Sequence, residues 1–328
     1  MIRSWFSLIA WKSLRAATRI HLELEEDVIV IGGSFAGIAA ALYLARARRQ
    51  VLVLDGGEPR NRFSAHSHGV FALDGKPGLE LLSVAKAQLL TYPTAKFLST
   101  KASVVNKNGN LFDVRTEGNG SFKARRLILA TGLVDVLPDI PGLQERWGKS
   151  IFHCPYCDGY EIRGDSIGVI ATLPLSEHFA KLITEWGRVT LFVNEAIKLD
   201  HDSRDSLIRT GVKIQEKPIM EVAGPPDGGL DYVLLSDGSK ISIQAIFIAS
   251  FFRMAASFAK DLGCAFSESP RGEIVKTDDS MLTSVPGVYA AGDMARLTHS
   301  IPFATSDGVT AGVSAHQSLV AEEQENNR

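Results

Sequence analysis

The sequence predicts an α/β fold with buried parallel sheets, and three observations support this. Residues 28–31 and 51–54 are continuous apolar runs, which is the pattern of strands buried on both faces of a parallel sheet. A glycine-containing turn and a stretch rich in Ala and Leu (residues 38–47) join these runs into a strand–helix–strand unit. With 328 residues, the chain is long enough for roughly two domains of about 150 residues each.

The composition is that of an ordinary globular protein. Hydrophobic residues make up 45% of the chain and the formal net charge is −2, so neither nucleic acid nor an anionic membrane is indicated as a partner. The three cysteines, two of them in one C-x-x-C pair, do not form a disulfide framework. This usage suits a reducing compartment, and we expect a cytoplasmic protein.

Residues 1–26 read as an N-terminal extension. Residues 5–11 are mostly apolar, and basic residues surround them at Arg3, Lys12, Arg15 and Arg19. The apolar patch is too short to span a bilayer, and no small-residue cleavage site follows it. Two interpretations stay open: a loosely attached amphipathic segment, and a helix that docks on a membrane surface or a partner.

The first apolar run leads into a dinucleotide-binding fingerprint. A turn of small residues follows the run, then the helix, then the second run, which ends at Asp55. Such a turn brings backbone amides and a helix N-terminus to a pyrophosphate, and the acidic residue accepts from a ribose hydroxyl. Ser34 replaces the middle glycine of the motif and is small enough to keep the backbone close. The candidate ligands are Asp55 and the turn residues Gly32, Ser34, Phe35, Ala36 and Gly37.

Two later segments identify the dinucleotide. One strand runs into Ala130, Thr131 and Gly132, and another closes on Gly292 and Asp293. At this distance from an N-terminal fingerprint, the pair resembles the flavoproteins that have two dinucleotide-binding domains. The resemblance implies FAD as the cofactor, with Asp293 on the ribityl chain and Thr131 and Gly132 beside the flavin.

The third feature is a C-x-x-C pair, Cys154 and Cys157, followed by Asp158. At the start of a helix such a pair is typical of redox chemistry, since the helix N-terminus and the neighbouring thiol favour the thiolate. Half of a zinc site is the alternative interpretation. Only His153 lies close in sequence and the chain has no second C-x-x-C, so no metal is expected.

Taken in order, these motifs resemble the low-molecular-weight thioredoxin reductases over residues 27–320. The resemblance implies two dinucleotide-binding domains, of the three-layer ββα or Rossmann-like type, with the second inserted in the first. An FAD-binding domain would comprise residues 27–140 and 249–328, and a pyridine-nucleotide-type domain with the cysteines would comprise residues 141–248. It also implies a homodimer in which Cys157 faces the flavin, Cys154 attacks the substrate and Asp158 shuttles a proton.

The second domain departs from that family. After the strand at residues 166–170, the expected glycine fingerprint is replaced by residues 171–176, which contain Leu173 and Pro174 and no glycine. The next strand is followed by Asn194 and Glu195 instead of the cationic residues that grip the 2′-phosphate. The sequence therefore argues against NADPH as the electron donor.

Such losses resemble a branch of thioredoxin-reductase-like flavoproteins with a degenerate pyridine-nucleotide domain. Its members include dithiol oxidases, which pass electrons to oxygen, and reductases that depend on ferredoxin or another flavin. Residues 59–63 and 66–69 look more like the oxidases, whereas Asp158 looks more like the reductases. The expected partner is a small dithiol or disulfide, or a thioredoxin-like protein. An NADPH-dependent thioredoxin reductase with atypical nucleotide binding and a non-catalytic flavin redox sensor stay open.

A few polar residues complete the candidate site. Arg60 either contacts the FAD phosphate or adenine or is ordinary surface charge. His66 and His68 lie on a loop after the second strand, where one imidazole could take a thiol proton. The resemblance implies that the start of the last helix, with Thr305 and Ser306, points at the flavin pyrimidine.

Overall fold

The structure is a computed structural model that describes residues 25–162 and 166–328. Most of the predicted N-terminal extension lies outside these ranges. Its last two residues, Glu25 and Glu26, belong to the first strand, which therefore begins earlier than the apolar run predicts. Glu26 is almost fully buried, and its Oε1 accepts from Lys96 Nζ at 2.7 Å. A charged residue can enter this strand because a cation from elsewhere in the chain pairs with it.

The described chain consists of strand–helix–strand segments separated by runs of consecutive strands. The strands are β1 (Glu25–Ile31), β2 (Val51–Leu54), β3 (Ala95–Leu98), β4 (Ala102–Asn108), β5 (Leu111–Thr116), β6 (Ser121–Leu129), β7 (Leu133–Val136), β8 (Ile151–Phe152), β9 (Ile167–Ile170), β10 (Val189–Phe192), β11 (Lys213–Gln215), β12 (Ile219–Ala223), β13 (Tyr232–Leu235), β14 (Lys240–Ser242), β15 (Ala245–Ile248), β16 (Phe251–Met254), β17 (Phe266–Ser267), β18 (Ile274–Val275) and β19 (Val288–Ala290). The α-helices are α1 (Phe35–Arg46), α2 (Gly78–Leu89), α3 (Pro155–Asp158), α4 (Leu175–Ile183), α5 (His201–Arg209), α6 (Phe258–Asp261) and α7 (Ile301–Asn326).

The first sheet has the order β3-β2-β1-β6-β5-β4, and β19 pairs with β6. The long strand β6 pairs with β1 along one edge and with two strands along the other: its first residues pair antiparallel with β5, and residues 127–129 pair parallel with β19. Both β1 and β2 are fully buried over their apolar runs, as expected when both faces of a parallel sheet are covered.

Helices α1 and α7 cross in close contact on one face of this sheet. A Cβ atom on Gly308 of α7 would lie 2.0 Å from the carbonyl oxygen of Ala36, so only glycine allows this approach. Apolar residues of both helices share one core with the parallel strands, among them Ala40, Leu44, Ala311 and Leu319. The crossing fixes the first turn of α1 against the start of α7.

The second sheet is fully parallel and has the order β11-β10-β9-β15-β8. Strands β12, β13 and β14 form an antiparallel sheet beside it, with core residues such as Val222, Val233 and Ile246 between the two sheets. Helices α4 and α5 lie on the other face, over Val169 and Leu191. The chain therefore builds a second α/β layer with its own core, which confirms the predicted fold class.

A two-stranded ribbon joins the two bodies. The chain leaves the first sheet along β7 and returns along β16, and these strands pair antiparallel, with Val136 opposite Phe251 and Leu133 opposite Met254. The predicted domain boundaries at residues 140–141 and 248–249 lie just beyond the outer end of this ribbon. The two segments in which the chain passes between the bodies are therefore paired side by side.

Candidate active site

The turn between β1 and α1 forms one end of the site. Gly32 has φ of +107°, and a Cβ atom there would lie 2.2 Å from the carbonyl oxygen of Ala130. Its neighbour Gly33 donates its backbone amide to Asp55 Oδ1 at 3.0 Å, and Ser34 is the N-cap residue of α1. Gly37 lies buried in the first turn of that helix. The acidic residue at the end of β2 therefore holds the turn in shape, in addition to the predicted role on a ribose.

One continuous cavity connects this turn with the redox pair. Its walls include most of the predicted cofactor and catalytic residues, namely Gly32, Ser34, Phe35, Ala36, Asp55, Arg60, Ala130, Thr131, Gly132, Cys157, Asp158, Gly292 and Asp293. The parallel strands β1, β6 and β19 all end at this edge of the sheet, which is why residues that are far apart in sequence meet here.

Arg60 is the centre of a hydrogen-bonded cluster inside the cavity. Its guanidinium binds Asp135 in bidentate fashion at 2.6 and 2.8 Å, and Nη1 also lies 2.8 Å from Asp293 Oδ2 and 2.8 Å from His299 Nδ1. Burial opposes ionisation of Asp135, but the hydrogen bonds and charge of Arg60 outweigh it and lower the carboxyl pKa to about 2. Burial likewise disfavours the Arg60 cation, and the two carboxylates reverse this and raise its pKa.

Two histidines of this cavity are held neutral. Burial, followed by the nearby Arg60 charge, lowers the pKa of His153 to about 4. Burial also lowers the pKa of His299 to about 4, although Asp293 acts in the opposite direction. Both imidazoles are therefore uncharged hydrogen-bonding groups at neutral pH.

Cys154 and Cys157 form a disulfide, with their Cα atoms 5.3 Å apart. Cys154 is the N-cap residue of the short helix α3, and Pro155 occupies its first position, where a missing amide donor costs nothing. Cys157 lines the cavity and Cys154 does not, while Tyr156 between them is exposed. The two sulfurs therefore have different surroundings, one turned toward the cofactor cavity.

Asp158 lies on the cavity wall directly after Cys157. Burial raises the pKa of its carboxyl to about 7, the charge of Glu161 adds to this, and His68 partly opposes it. A carboxyl group that titrates near neutrality can both give and take a proton under ordinary conditions.

The residues at the turn fit FAD. The amides at the start of α1, the Asp55 carboxylate and Asp293 open into the same cavity, and beside Gly132 there is open space where a side chain would otherwise stand. A helix N-terminus of this kind binds pyrophosphate, and carboxylates accept from ribose or ribityl hydroxyls. When bound there, FAD supplies a two-electron acceptor and donor for the sulfur pair.

Comparisons with known proteins agree with this description of the site. The family model described as pyridine nucleotide-disulphide oxidoreductase matches residues 26–308. The thioredoxin reductase tcpT of Claviceps purpurea is 33% identical over 306 residues, which cover 90% of this chain and 95% of that protein. The crystal structure of an oxidoreductase from Agrobacterium tumefaciens superposes with a TM-score of 0.87 at 40% identity, over 90% of this chain and 99% of that one. For the crystal structure of HlmI the TM-score is 0.87 at 35% identity, over 92% and 95% of the two chains.

The chain belongs to the pyridine nucleotide-disulphide oxidoreductase family. It is an FAD-dependent oxidoreductase that acts on sulfur groups, similar to thioredoxin reductases, which confirms the resemblance drawn from the motifs.

In this pyridine nucleotide-disulphide oxidoreductase, the turn after β9 is closed by its own side chains. Ser176 is fully buried, and its Oγ accepts from the amides of Thr172 at 3.1 Å and Leu173 at 3.4 Å. Thr172 Oγ1 donates to the carbonyl of Ala249 at 2.8 Å. Pro174, which has no amide hydrogen, is the N-cap residue of α4. Backbone donors that a pyrophosphate would need at this turn are therefore already used or missing.

Negative charge surrounds the same turn. Glu177 lies in the first turn of α4, and its hydrogen bond from Lys181 lowers the pKa of its carboxyl, which keeps it ionised. After β10, Asn194 Oδ1 accepts from the amide of Ile219 at 2.8 Å, and Glu195 follows. Carboxylates at a helix N-terminus and beyond the next strand repel phosphate groups.

The structure places two of the predicted cofactor residues outside the cavity. Thr305 and Ser306 have exposed side chains outside the cavity, and Thr305 Oγ1 donates to the carbonyl of Ile301 at 2.9 Å. The helix begins at Ile301, so Ser300, Ile301 and Ala304 face the cavity instead. Residues one position further along the helix point away, because successive side chains are rotated by about 100°.

Asp135 and Ser176 are site residues to which sequence reasoning assigned no role. Within residues 25–162 and 166–328, no group of three or more His, Cys, Asp or Glu side chains could hold a metal ion. The helices of the described chain are all too short or too polar to cross a bilayer.

Proposed function

We propose that this protein is an FAD-dependent dithiol–disulfide oxidoreductase that exchanges electron pairs through Cys154 and Cys157 and does not use NADPH. Oxygen, ferredoxin or another flavin takes the place of the pyridine nucleotide. In this proposal, residues 27–140 and 249–328 hold FAD, and residues 141–248 carry the cysteines on a degenerate nucleotide-type domain.

The observation that carries the proposal is the pair of hydrogen bonds from the amides of Thr172 and Leu173 to Ser176 Oγ. A phosphate could bind here only if it displaced a buried hydroxyl, which would then lack its two donors. Leaving a buried hydroxyl unsatisfied costs about 1–3 kcal/mol. Pro174 adds no donor, and Glu177 adds repulsion.

The sulfur chemistry follows from the different surroundings of the two cysteines. A thiolate of the substrate attacks Cys154, a new sulfur–sulfur bond forms, and the Cys154–Cys157 bond breaks. Cys157 takes the electron pair as a thiolate, and Asp158 gives it a proton. The second substrate thiolate then displaces Cys154, so the substrate leaves as a disulfide and two electrons stay on the cysteines. Cys157 lies on the wall of the cavity that fits FAD.

The proposed partners are a small dithiol or disulfide, or a thioredoxin-like protein. The relative tcpT, whose name says thioredoxin reductase, supports a disulfide substrate. The side chains of Tyr156 and Tyr160 are exposed around the redox pair, so a substrate can approach from the side opposite the cavity. A homodimer is proposed from the family resemblance.

Anaerobic flavin spectroscopy of the purified protein tests the function. A dithiol should bleach the flavin, and NADPH and NADH should leave it oxidised; reduced ferredoxin is added separately to test an electron donor. Bleaching by the dithiol should vanish in Cys154→Ser and Cys157→Ser. Bleaching that persists in both variants would remove the cysteines from the mechanism.

The second candidate is an NADPH-dependent thioredoxin reductase with unorthodox nucleotide binding. Its support is the match to the family described as pyridine nucleotide-disulphide oxidoreductase. Prompt reduction of the flavin by NADPH would establish this candidate and reject the proposal. The variants Cys154→Ser and Cys157→Ser should keep that reduction, because it would not pass through the cysteines.

A further inference from the structure

A row of ionisable side chains lies beside the redox pair. His68 sits on the loop after β2, which the Ser67–Lys76 bridge closes. Its Nδ1 lies 3.5 Å from Asp74 Oδ2, and its Nε2 lies 3.5 Å from Glu161 Oε1. The imidazole therefore stands between two carboxylates of different segments.

This row leads to Asp158. Glu161 follows Asp158 by three residues, and both His68 and Asp158 line the cavity. The pKa of Asp158 is raised by burial and then by Glu161, while His68 lowers it. The two neighbours thus act on the same carboxyl group in opposite directions.

The row also reaches solvent. The exposed fraction of the side chain is 67% for Asp74, 23% for His68 and 45% for Glu161. Two further ionisable groups stand nearby: His66, whose ring centroid is 6.5 Å from that of His68, and Lys76, which pairs with Glu80 at 3.7 Å. Imidazole is the side chain that ordinarily changes charge near neutral pH.

We propose that His68 is a positioning residue that sets the protonation of Asp158 and carries protons between that carboxyl group and solvent. The inference rests on the proposed function, because Asp158 needs a proton supply only if Cys157 leaves as a thiolate.

The proton balance of one turnover defines the role. The substrate loses two electrons and two protons when it becomes a disulfide. Cys154 and Cys157 take the electron pair when their bond breaks, and the Cys157 thiolate takes a proton from Asp158. His68 then passes a proton to Asp158 and regains one from solvent, into which the substrate thiols released theirs. Cys154 leaves the mixed disulfide as a thiolate and takes the second proton from solvent, so the two cysteines take up the two protons that the substrate thiols released.

The test is the pH dependence of disulfide opening by dithiothreitol in the flavin-loaded protein. Oxidised dithiothreitol is measured in single anaerobic turnovers, from mildly acidic to mildly alkaline pH, for the parent, His68→Gln and Glu161→Gln. In His68→Gln the midpoint of the rate–pH profile should move to higher pH, because His68 lowers the pKa of Asp158. The plateau rate of that profile should fall about tenfold, which is less than the full effect of a positioned acid or base. Added imidazole should restore the plateau. In Glu161→Gln, which loses the like charge, the midpoint should move to lower pH.

His201→Gln is the matched control. His201 also stands beside a carboxylate, with Nδ1 3.3 Å from Asp205 Oδ2, but it is exposed on α5. Its profile should superimpose on that of the parent. A midpoint shared by the parent and both active-site variants, without rescue by imidazole, would overturn the role of His68 while leaving the proposed function intact. If His68→Gln does not fold, an unmoved midpoint in Glu161→Gln would overturn it equally. A parent whose disulfide does not open would overturn the proposed function and this inference together.

Discussion

Arg60 and Asp135 are joined by two hydrogen bonds of 2.6 and 2.8 Å across the cavity that fits FAD. Asp135 belongs to the ribbon strand β7, and its Oδ1 also accepts from Ser250 Oγ at 2.8 Å, just before the returning strand β16. The guanidinium of Arg60 therefore holds β7 directly through Asp135, and through the same carboxylate it holds Ser250, which precedes β16. This arrangement makes Arg60 a structural residue as well as a candidate contact of the cofactor.

Replacement of Arg60 should destabilise the protein strongly. In Arg60→Met the buried carboxylate of Asp135 loses its partner, which typically costs about 3–5 kcal/mol. The measurement is urea unfolding of the flavin-free protein. Arg62→Met is the control, because Arg62 is exposed and stacks on Phe63 at 4.3 Å, and it should change stability by about 0.5 kcal/mol or less. Equal effects of the two variants would contradict this role of Arg60.

Stability should depend on pH through His153. Its pKa in the folded protein is about 4, against 6.5 for the free side chain, because of burial and then the charge of Arg60. Between these values the unfolded chain binds a proton that the folded protein does not, so stability should fall as the pH drops from 6.5 to about 4.

Chemical unfolding measured between pH 6.5 and about 4 checks that stability falls as the pH drops. His299, whose pKa is also lowered to about 4, adds a slope in the same direction. His153→Gln should therefore flatten the dependence in part, and His153→Gln combined with His299→Gln should flatten it further. If stability depends on pH as steeply in the double variant as in the parent, these two histidines do not cause the dependence.

Removal of the Ser176 hydroxyl should weaken the second body without creating a nucleotide site. In Ser176→Ala the amides of Thr172 and Leu173 lose their acceptor, which should cost about 1–3 kcal/mol. Thermal unfolding measures this, with the exposed Ser306→Ala as the control. Titration with NADPH should still show no binding, because Leu173 and Glu177 remain. Tight binding of NADPH by this variant would show that Ser176 alone closes the turn.

The two cysteine variants should trap a substrate differently. With Cys157 replaced by Ser, the Cys154 thiol on the outer side can form a stable mixed disulfide with a disulfide substrate. With Cys154 replaced, the remaining Cys157 thiol faces the cavity and should react far less. Mass spectrometry of each variant after incubation with an aromatic disulfide reads the difference. Equal labelling of both variants would contradict the assigned directions.

The parts of the site that are local in sequence were predictable. The glycine turn, Asp55 and the cysteines at a helix start are each specified by a few adjacent residues, since backbone approach and helix capping are short-range effects. Arg60 was recognised only as one of several charges, because its partners Asp135 and Asp293 follow it by 75 and 233 residues. No short-range pattern marks such a meeting, which the ends of the parallel strands bring about.

The turn after β9 shows a different limit of what the sequence alone can predict. Loss of the glycines was visible in the sequence, and so was a serine two residues after Pro174. The signal that could have identified its role is that a serine near a helix start commonly accepts from nearby amides. For Thr305 and Ser306, neither the first residue of α7 nor the rotation of the helix can be read from the sequence, and a shift of one residue turns a side chain away from the cavity.

The ribbon of β7 and β16 also bears on how this architecture can be rearranged. Paired strands lie about 5 Å apart, so the stretch between them enters and leaves at nearly the same point. Such a stretch is a cassette: it can be exchanged for a homologous one by recombination without rerouting the rest of the chain. A chimera with another cassette needs to retain the ribbon and Ser250, because Asp135 of the ribbon binds both the guanidinium of Arg60 and the hydroxyl of Ser250.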